Sequence, residues 1–354
     1  MTLSLIIPTY NRSADIIRLL HNLNLQTTKP DEVVIVDASE TDETRLTVES
    51  NLHKLAYPVN YYSHEKGLTR QRNFGIKKAR HDIVGFSDDD AIFEPDYLKR
   101  ILSIFEEDGR KEIGGVSGFI YQIEGCRIPG IDHNLKTVND GRDFSRIMEP
   151  LRKGAININR SRWKKRMERL VLLQRRSDRE GTYCPFRGKL YGIYTPFTGI
   201  READFLSGIA FYRGEVFQRE RYSEYFEHYG FGEDAHLSLK VHRFARLVVD
   251  GEASAYHLHA PAGRPNLYVI GQMSARNRFY TFRTFNTRGP LVGLVFWAYF
   301  WVEAFLDFLP AFFGRSTHDR AKLLFGRMVG SLSTMREAFA EVKNKTKSRR
   351  PKNL

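Results

Sequence analysis

The chain has 354 residues, of which 42% are hydrophobic, and this composition excludes intrinsic disorder for most of its length. Its 55 Lys and Arg residues outnumber 42 Asp and Glu residues, so we expect an anionic partner such as nucleic acid, a phosphorylated metabolite or acidic lipid. The two cysteines, Cys126 and Cys184, lie too far apart along the chain for a zinc ribbon or a disulfide framework. No secretion signal is recognised at residues 3–8, and a reducing, cytoplasmic setting is expected.

Short apolar runs alternate with amphipathic stretches over the first third of the sequence. This alternation predicts an α/β fold with a doubly wound, mostly parallel sheet. The predicted strands cover residues 3–7, 32–36, 59–62 and 83–86.

Polar residues stand where three of these predicted strands end: Thr9, Asp37 and the run Asp88–Asp90. Open α/β sheets bind ligands at the carboxyl ends of their strands. A single aspartate such as Asp37 is also a common helix cap. Three consecutive carboxylates repel one another, and a divalent cation would remove that repulsion, although a solvated acidic turn is the alternative.

The sequence lacks the two common phosphate-binding loops. No Gly-x-Gly-x-x-Gly follows the first strand, and no Gly-x-x-x-x-Gly-Lys-Ser/Thr occurs. Any phosphate would therefore be held by a metal ion and side chains.

A second group of polar residues lies after residue 200. Gly232 precedes Glu233 and Asp234 at the start of a predicted helix, which suits a carboxylate that faces a pocket but also suits a plain helix cap. His257 and His259 alternate on one predicted strand, so either imidazole could reach a metal ion.

Together these motifs resemble family 2 glycosyltransferases with the GT-A fold, in their order and spacing along residues 1 to 280. The motifs that resemble the nucleotide half are Ile6–Asn11, Val34–Ser39, Gly67–Asn73 and Phe86–Asp90. Those that resemble the acceptor half are Phe205–Gly208, Gly232–Asp234 and His257–Arg264.

The resemblance implies a nucleotide site at the first group of motifs. The positions that it assigns to nucleotide binding are Pro8, Thr9, Tyr10, Asp37, Arg70, Asn73, Asp88 and Asp89. Because a carboxylate offers only acceptors, Asp37 suits the imino proton of uracil or thymine, so a UDP or dTDP donor is expected.

The resemblance also implies a metal site and a general base. Asp88 and Asp90 match the ends of the Asp-x-Asp motif that coordinates Mg²⁺ or Mn²⁺, with His257, or else His259, completing the site. Asp234 matches the base that takes a proton from the acceptor hydroxyl, with Glu233 orienting it. Gly208, Gly232 and Glu233 match the positions beside the sugar and the acceptor.

The implied activity is a metal-dependent, inverting transfer of a sugar from a nucleoside diphosphate to a hydroxyl, in the synthesis of cell-surface polysaccharide or glycolipid. A nucleotidyltransferase is the first alternative, but it calls for a Gly-rich basic loop in place of residues 8–11. A basic nucleic-acid-binding protein is the second, but no such motif is found, and nucleic acid is not an expected partner.

The C-terminal region suggests a membrane surface. The apolar, aromatic run at residues 291–302 and the basic stretch at 343–352 suit a helix lying at an anionic bilayer, so we expect a peripheral enzyme at the cytoplasmic face with a lipid-linked acceptor. A buried helical hairpin and a membrane span are the alternatives. The expected segments are a nucleotide-sugar-binding half (1–125), a basic insertion (126–200), an acceptor and catalytic half (201–280), C-terminal apolar helices (281–340) and a basic disordered tail (341–354).

Overall fold

The structure is a computed structural model that describes residues 1–122, 180–185, 189–260, 263–286, 290–308 and 317–348. Most of the predicted basic insertion and the last six residues of the predicted tail lie outside these ranges. The chain divides into two compact units. The described part of the first unit lies within Met1–Arg160, Arg179–Thr182 and Tyr191–Arg264, and that of the second within Tyr183–Leu190 and Pro265–Leu354.

The first unit is built on a mixed sheet, as the α/β prediction requires. Its strands are β1 (Leu3–Thr9), β2 (Glu32–Asp37), β3 (Val59–Ser63), β4 (Ile83–Phe86), β5 (Ala91–Phe93), β6 (Ile113–Gln122), β9 (Ile200–Glu202), β10 (Ala210–Arg213) and β11 (Arg246–His257). Two further strands, β7 (Thr182–Cys184) and β8 (Lys189–Tyr191), pair separately.

The strand order in this sheet is β3-β2-β1-β4-β10-β6-β11-β5, with β9 also paired to β11. The pairs β1–β2, β2–β3, β1–β4 and β6–β11 are parallel. Strand β10 runs antiparallel between β4 and β6, and β5 and β9 run antiparallel to β11. The four predicted strands, β1 to β4, are confirmed, and they pair with one another in parallel.

Both faces of the sheet are covered. Every residue of β1 is buried, as expected for a strand with apolar cover on both sides. Leu5 and Ile7 join one core cluster, while Ile6 joins the other, because successive side chains of a strand point to opposite faces. The helices of this unit are α1 (Ser13–Asn24), α2 (Glu43–Asn51), α3 (Leu68–Lys78), α4 (Tyr97–Glu107), α5 (Val216–Arg219) and α6 (Glu233–Val241), with a 3₁₀ turn at Leu52–Lys54.

The second unit contains three long helices, α7 (Leu267–Phe285), α8 (Pro290–Phe308) and α9 (Thr317–Ser348). Aromatic side chains of α7 and α8 form its core: Phe279, Phe282, Phe296, Trp297 and Phe300. The α8 aromatics that the sequence placed at a membrane surface are thus partly buried within the protein, as a helical hairpin predicts. Among the described helices, none has the combination of length and apolar content needed to cross a membrane.

Candidate active site

The acidic run lies at the edge of the sheet, between β4 and β5. Asp89 and Asp90 are buried, whereas Asp88 is partly exposed. Antiparallel pairing of β5 with β11 places Ala91 opposite His257 and so brings that imidazole beside the carboxylates. Residues that are far apart in sequence therefore meet because of a strand register.

Asp88, Asp90 and His257 form a three-residue cluster. One ligand atom from each lies within 4.8 Å of the other two. His257 Nε2 is 3.1 Å from Asp90 Oδ1 and 3.8 Å from Asp88 Oδ2. Two carboxylates and one imidazole, with Asp88 open to solvent, fit a divalent cation that keeps positions for other oxygen ligands.

The charges around Asp90 favour its ionised form. Burial alone would raise its pKa, but the hydrogen bond and charge of His257 and the charge of Arg12 hold that pKa well below the usual range. The backbone N–H of Ala260 also donates to Asp90 Oδ2 at 2.7 Å. In return, the two carboxylates raise the pKa of His257 against the opposing effect of its burial. The carboxylates of the cluster therefore favour a positive charge beside them, whether a protonated His257 or a bound cation.

His259 is oriented differently from His257. The two rings stack with centroids 4.1 Å apart, but His259 Nε2 lies 2.6 Å from the Gln122 side-chain oxygen. Burial and the neighbouring His257 lower the pKa of His259 to about 4. Of the two predicted ligands, the structure brings only His257 into the described acidic cluster.

Asp89 contacts protein groups on both of its oxygens. Thr9 Oγ1 donates to Oδ2 at 2.7 Å, and Arg12 Nη1 lies 2.7 Å from Oδ1. The two side chains named for nucleotide binding, Thr9 and Asp89, thus bind each other and join the end of β1 to the acidic run.

Asp37 is held at the end of β2. Its Oδ1 accepts hydrogen bonds from the backbone N–H and the hydroxyl of Ser39, and its Oδ2 accepts one from the Tyr61 hydroxyl. A carboxylate has about four acceptor positions, so this arrangement leaves capacity for one more donor. Pro8 is buried in β1 opposite Val36.

The other residues that were predicted to bind the nucleotide, Tyr10, Arg70 and Asn73, differ in their surroundings. Tyr10 lies under the Lys66 ammonium, 3.5 Å from its ring centre. Arg70 is 43% exposed and pairs with Glu65 at 3.1 Å, so its guanidinium faces solvent. Asn73, by contrast, exchanges two hydrogen bonds with the backbone of Tyr222, which gives it a structural attachment.

The Glu-Asp pair begins α6. Gly232 precedes it with a φ of +89°, a backbone conformation that side chains rarely adopt. Glu233 is buried and Asp234 is partly exposed, and Asp234 Oδ1 accepts the N–H of Ala235 at 2.7 Å. The glycine therefore lets the chain turn so that two adjacent carboxylates enter the site at one helix start.

Arg72 joins the two groups of carboxylates. Its side chain is 1% exposed, with Nη2 3.1 Å from Asp88 and Nη1 2.5 Å from Glu233. One buried guanidinium thus contacts both the metal-binding candidate and the α6 carboxylate. The guanidinium also lies 5.2 Å from the Tyr222 ring centre, a cation–π contact.

Gly208 also lies beside Asp88. A Cβ atom at Gly208 would lie 3.1 Å from Asp88 Oδ2, so a glycine leaves the space beside that carboxylate.

The pKa values of the two α6 carboxylates are both raised. Burial and the charge of Asp234 raise the pKa of Glu233 to about 7, with Arg72 opposing the shift. Burial likewise raises the pKa of Asp234.

Sequence reasoning missed Arg72, Arg12, Tyr61 and Arg264. A signal for Arg72 was available, because it follows Thr69 by three positions and precedes Ile76 by four, so all three share the buried face of α3. The same spacing places Arg70 off that face. Arg264 Nη2, which lies 3.7 Å from Asp90, carries no comparable local signal.

Comparisons with known proteins identify the family of this chain. The sequence model of the family described as "Glycosyl transferase family 2" matches residues 4–191, more than half of the chain. An uncharacterized glycosyltransferase of Haemophilus influenzae is 30% identical over 45% of this chain and 47% of its own length. The poly(ribitol-phosphate) beta-N-acetylglucosaminyltransferase TarS of Staphylococcus aureus is 34% identical over 30% of this chain and 19% of its own.

The matches to these curated relatives therefore span less than half of their length. Among solved structures, the mannosyltransferase PcManGT from Pyrobaculum calidifontis, in complex with GDP-Man and Mn²⁺, has a TM-score of 0.48 and 16% identity, covering 96% of this chain and 79% of its own.

Proposed function

This chain belongs to family 2 of the glycosyltransferases, and from that premise we propose that it transfers a sugar from UDP or dTDP to a hydroxyl acceptor with the help of Mg²⁺ or Mn²⁺. The observation that carries this proposal is the contact of Arg72 with both Asp88 and Glu233. It supports a single site in which a donor half (residues 1–125) and an acceptor half (residues 201–280) work together.

In the donor half, Asp88, Asp90 and His257 would hold the cation. When bound, such a cation supplies positive charge that stabilises the leaving diphosphate. Asp90 is fixed for this role by the N–H of Ala260 and by the nearby Arg12 and Arg264 guanidiniums.

The nucleotide base would be read by Asp37. Its contacts with Ser39 and Tyr61 fix the carboxylate while leaving an acceptor position for the imide N–H of uracil or thymine. Tyr10 and Arg70, both with solvent-facing surroundings, would contact the rest of the nucleotide. Guanine offers a different donor pattern, so GDP should bind less well.

In the acceptor half, Asp234 would remove the proton from the acceptor hydroxyl as the sugar is transferred. Burial raises the pKa of Asp234, which makes the carboxylate a stronger base than an exposed aspartate. Glu233, held by Arg72, would orient the acceptor. A single attack opposite the diphosphate inverts the anomeric carbon, and no second carboxylate nucleophile is needed.

We further propose that the acceptor is lipid-linked and that the enzyme works at the cytoplasmic face of a membrane, in the synthesis of cell-surface polysaccharide or glycolipid. The net charge of +13 supports an anionic surface as a partner. The specific sugar and linkage depend on the shape of the acceptor pocket.

The donor half is tested by calorimetry of UDP, dTDP and GDP with and without Mn²⁺. We expect UDP or dTDP to bind only with Mn²⁺, and His257→Gln and Asp88→Asn to weaken that binding by roughly tenfold or more. His259→Gln is the matched control, because its ring lies beside His257 but contacts Gln122. Metal-independent binding, or a preference for GDP, would contradict the donor assignment.

A further inference from the structure

Helix α9 packs on α7 through small residues. A Cβ atom at Gly326 would lie 2.0 Å from the carbonyl oxygen of Tyr268, and one at Gly330 would lie 2.5 Å from that of Gln272. Ser331 and Thr334 are buried on the same side. Because the two backbones approach so closely, there is no room for a side chain at Gly326 or Gly330.

Three large apolar residues of α9 are exposed. Phe325, Met328 and Leu332 are 57%, 42% and 57% exposed, and we call these three residues the outer stripe. Their spacing of three and four positions places them on one face of the helix. The Phe325 ring stacks on Tyr268 with centroids 5.7 Å apart, which holds it in place at the surface. A surface helix normally buries such residues, so three of them exposed on one face are unusual.

Basic residues flank the outer stripe. Lys322 precedes Phe325 by three positions, Arg336 follows Leu332 by four, and both side chains are exposed. Helix α9 contains seven Lys or Arg residues against three Asp or Glu residues. One of the seven, Arg327, is turned inward and pairs with Asp307 at 3.1 Å.

We propose that the outer stripe and its flanking cations dock α9 on an anionic lipid bilayer. In a helix bound to a membrane surface, apolar side chains enter the bilayer interface, and cations on either side of them reach the lipid headgroups. This inference rests on the proposed function in one respect, namely that the acceptor is held at a membrane. It also moves the docking element from the aromatic run of α8, whose Phe296 and Trp297 are buried, to α9.

A second copy of the chain fits this face less well. Three side chains cover much less than the roughly 800 Å² per partner of a stable protein interface. Two copies would also bring Lys322 and Arg336 of each helix close to like charges, whereas anionic headgroups complement them.

The test is flotation of the full chain with vesicles of phosphatidylcholine containing phosphatidylglycerol, and with phosphatidylcholine alone. We expect binding to the anionic vesicles, and a triple variant Phe325→Ser, Met328→Ser, Leu332→Ser should reduce it by roughly tenfold or more. Leu46→Ser is the matched control, because Leu46 is 56% exposed on α2 of the first unit. Unchanged flotation of the triple variant would overturn the proposal.

A second variant pair tests the charges. Lys322→Glu with Arg336→Glu should weaken binding by about tenfold, and 0.5 M salt should weaken the wild type similarly, since both remove attraction to headgroups. If the triple variant melts at a lower temperature than the wild type, the result depends on flotation of the Lys322→Glu, Arg336→Glu variant alone. Unchanged flotation of that variant would overturn the proposal. A wild-type dimer that becomes monomeric in the triple variant, with vesicle binding retained, would assign the face to a second copy.

Flotation requires no turnover, so its outcome is independent of the proposed activity. Transfer to a soluble acceptor should be the same in the wild type and the triple variant. Loss of flotation with normal transfer supports the docking face, and absence of transfer in both proteins would reject the proposed function without affecting the docking result.

Discussion

Two glutamates with little solvent exposure, Glu303 in the second unit and Glu233 in the first, differ in how their charge is compensated. Glu303 of α8 contacts two cations, Lys189 and, at 2.6 Å, Arg278, and these overcome burial and lower its pKa to about 2. Within the described residues, Glu233 of α6 pairs with one cation, Arg72, which Asp88 shares. Burial and the adjacent Asp234 raise the pKa of Glu233 to about 7.

The difference separates a structural charge from a site. With two cations beside its carboxylate, Glu303 remains ionised. Arg72, by contrast, is one buried cation shared by two carboxylates, Asp88 and Glu233, with Asp234 adjacent in sequence, so proton or metal binding is favourable there. A buried charge alone therefore indicates little about function, whereas the ratio of cations to carboxylates around it is informative.

The largest expected effect is on stability. Glu303→Gln should lower the free energy of unfolding of the second unit by about 3 kcal/mol, because it leaves the buried Lys189 and the partly exposed Arg278 beside a neutral group. Denaturant titration followed by tryptophan fluorescence measures this, since Trp297 lies in the core of that unit. Glu49→Gln, at an exposed position, is the control, and an equal loss in both variants would contradict the structural role of Glu303.

The next effect concerns Arg72. Arg72→Lys should reduce the rate of sugar transfer by roughly 10–100-fold, because an ammonium cannot place two donors on Asp88 and Glu233 at once. Arg45→Lys, at an exposed ion pair with Glu49 on α2, should change the rate by only about twofold, since an exposed ion pair contributes little. Steady-state kinetics compares them, and similar rates in the two variants would remove Arg72 from the site.

The pH dependence of sugar transfer tests the raised pKa values of Asp234 and Glu233. Asp234 must be ionised to accept a proton, and burial raises the pKa values of both Asp234 and Glu233, the latter to about 7. Hence kcat/KM should fall as the pH decreases through an apparent pKa between the usual aspartate range and about 7, a value that belongs to the coupled pair. A pH–rate profile from 4.5 to 8.5 measures it, and a flat profile down to about pH 5 would contradict the assignment.

The smallest expected effect is at the base-binding carboxylate. Tyr61→Phe removes one hydrogen bond to Asp37 and should weaken UDP binding by about fivefold, which corresponds to roughly 1 kcal/mol. Calorimetry with Mn²⁺ measures this, with Tyr62→Phe as the control. Equal affinities in the two variants would indicate that Asp37 does not contact the nucleotide.

Much of this site could be predicted because its residues follow local patterns. The ends of β1, β2 and β4 carry the polar residues, and the Gly232–Asp234 turn precedes a regular helix. What could not be predicted depends on long-range pairing. Arg72 contacts a residue 161 positions away, and the choice of His257 over His259 follows from the register of β11 against β5.

The sheet shows the same limit. Strands β1 to β4 were predicted from their apolar runs, but the antiparallel insertion of β10 between β4 and β6 was not. Its four residues carry no signal that specifies their neighbours. Burial of Phe296, Trp297 and Phe300 of α8 likewise depends on their packing with Phe279 and Phe282 of α7, which the apolar run alone did not specify.

The central claim is that Asp234 acts on the acceptor and not on the donor, and single-turnover transfer by Asp234→Asn tests it most directly. We expect the transfer rate to fall by roughly 10²–10⁴-fold, while UDP and Mn²⁺ affinities remain within about twofold of the wild type. If the turn only caps α6, the variant would instead lose about 1 kcal/mol of stability and keep its turnover. A normal transfer rate in Asp234→Asn would contradict the account.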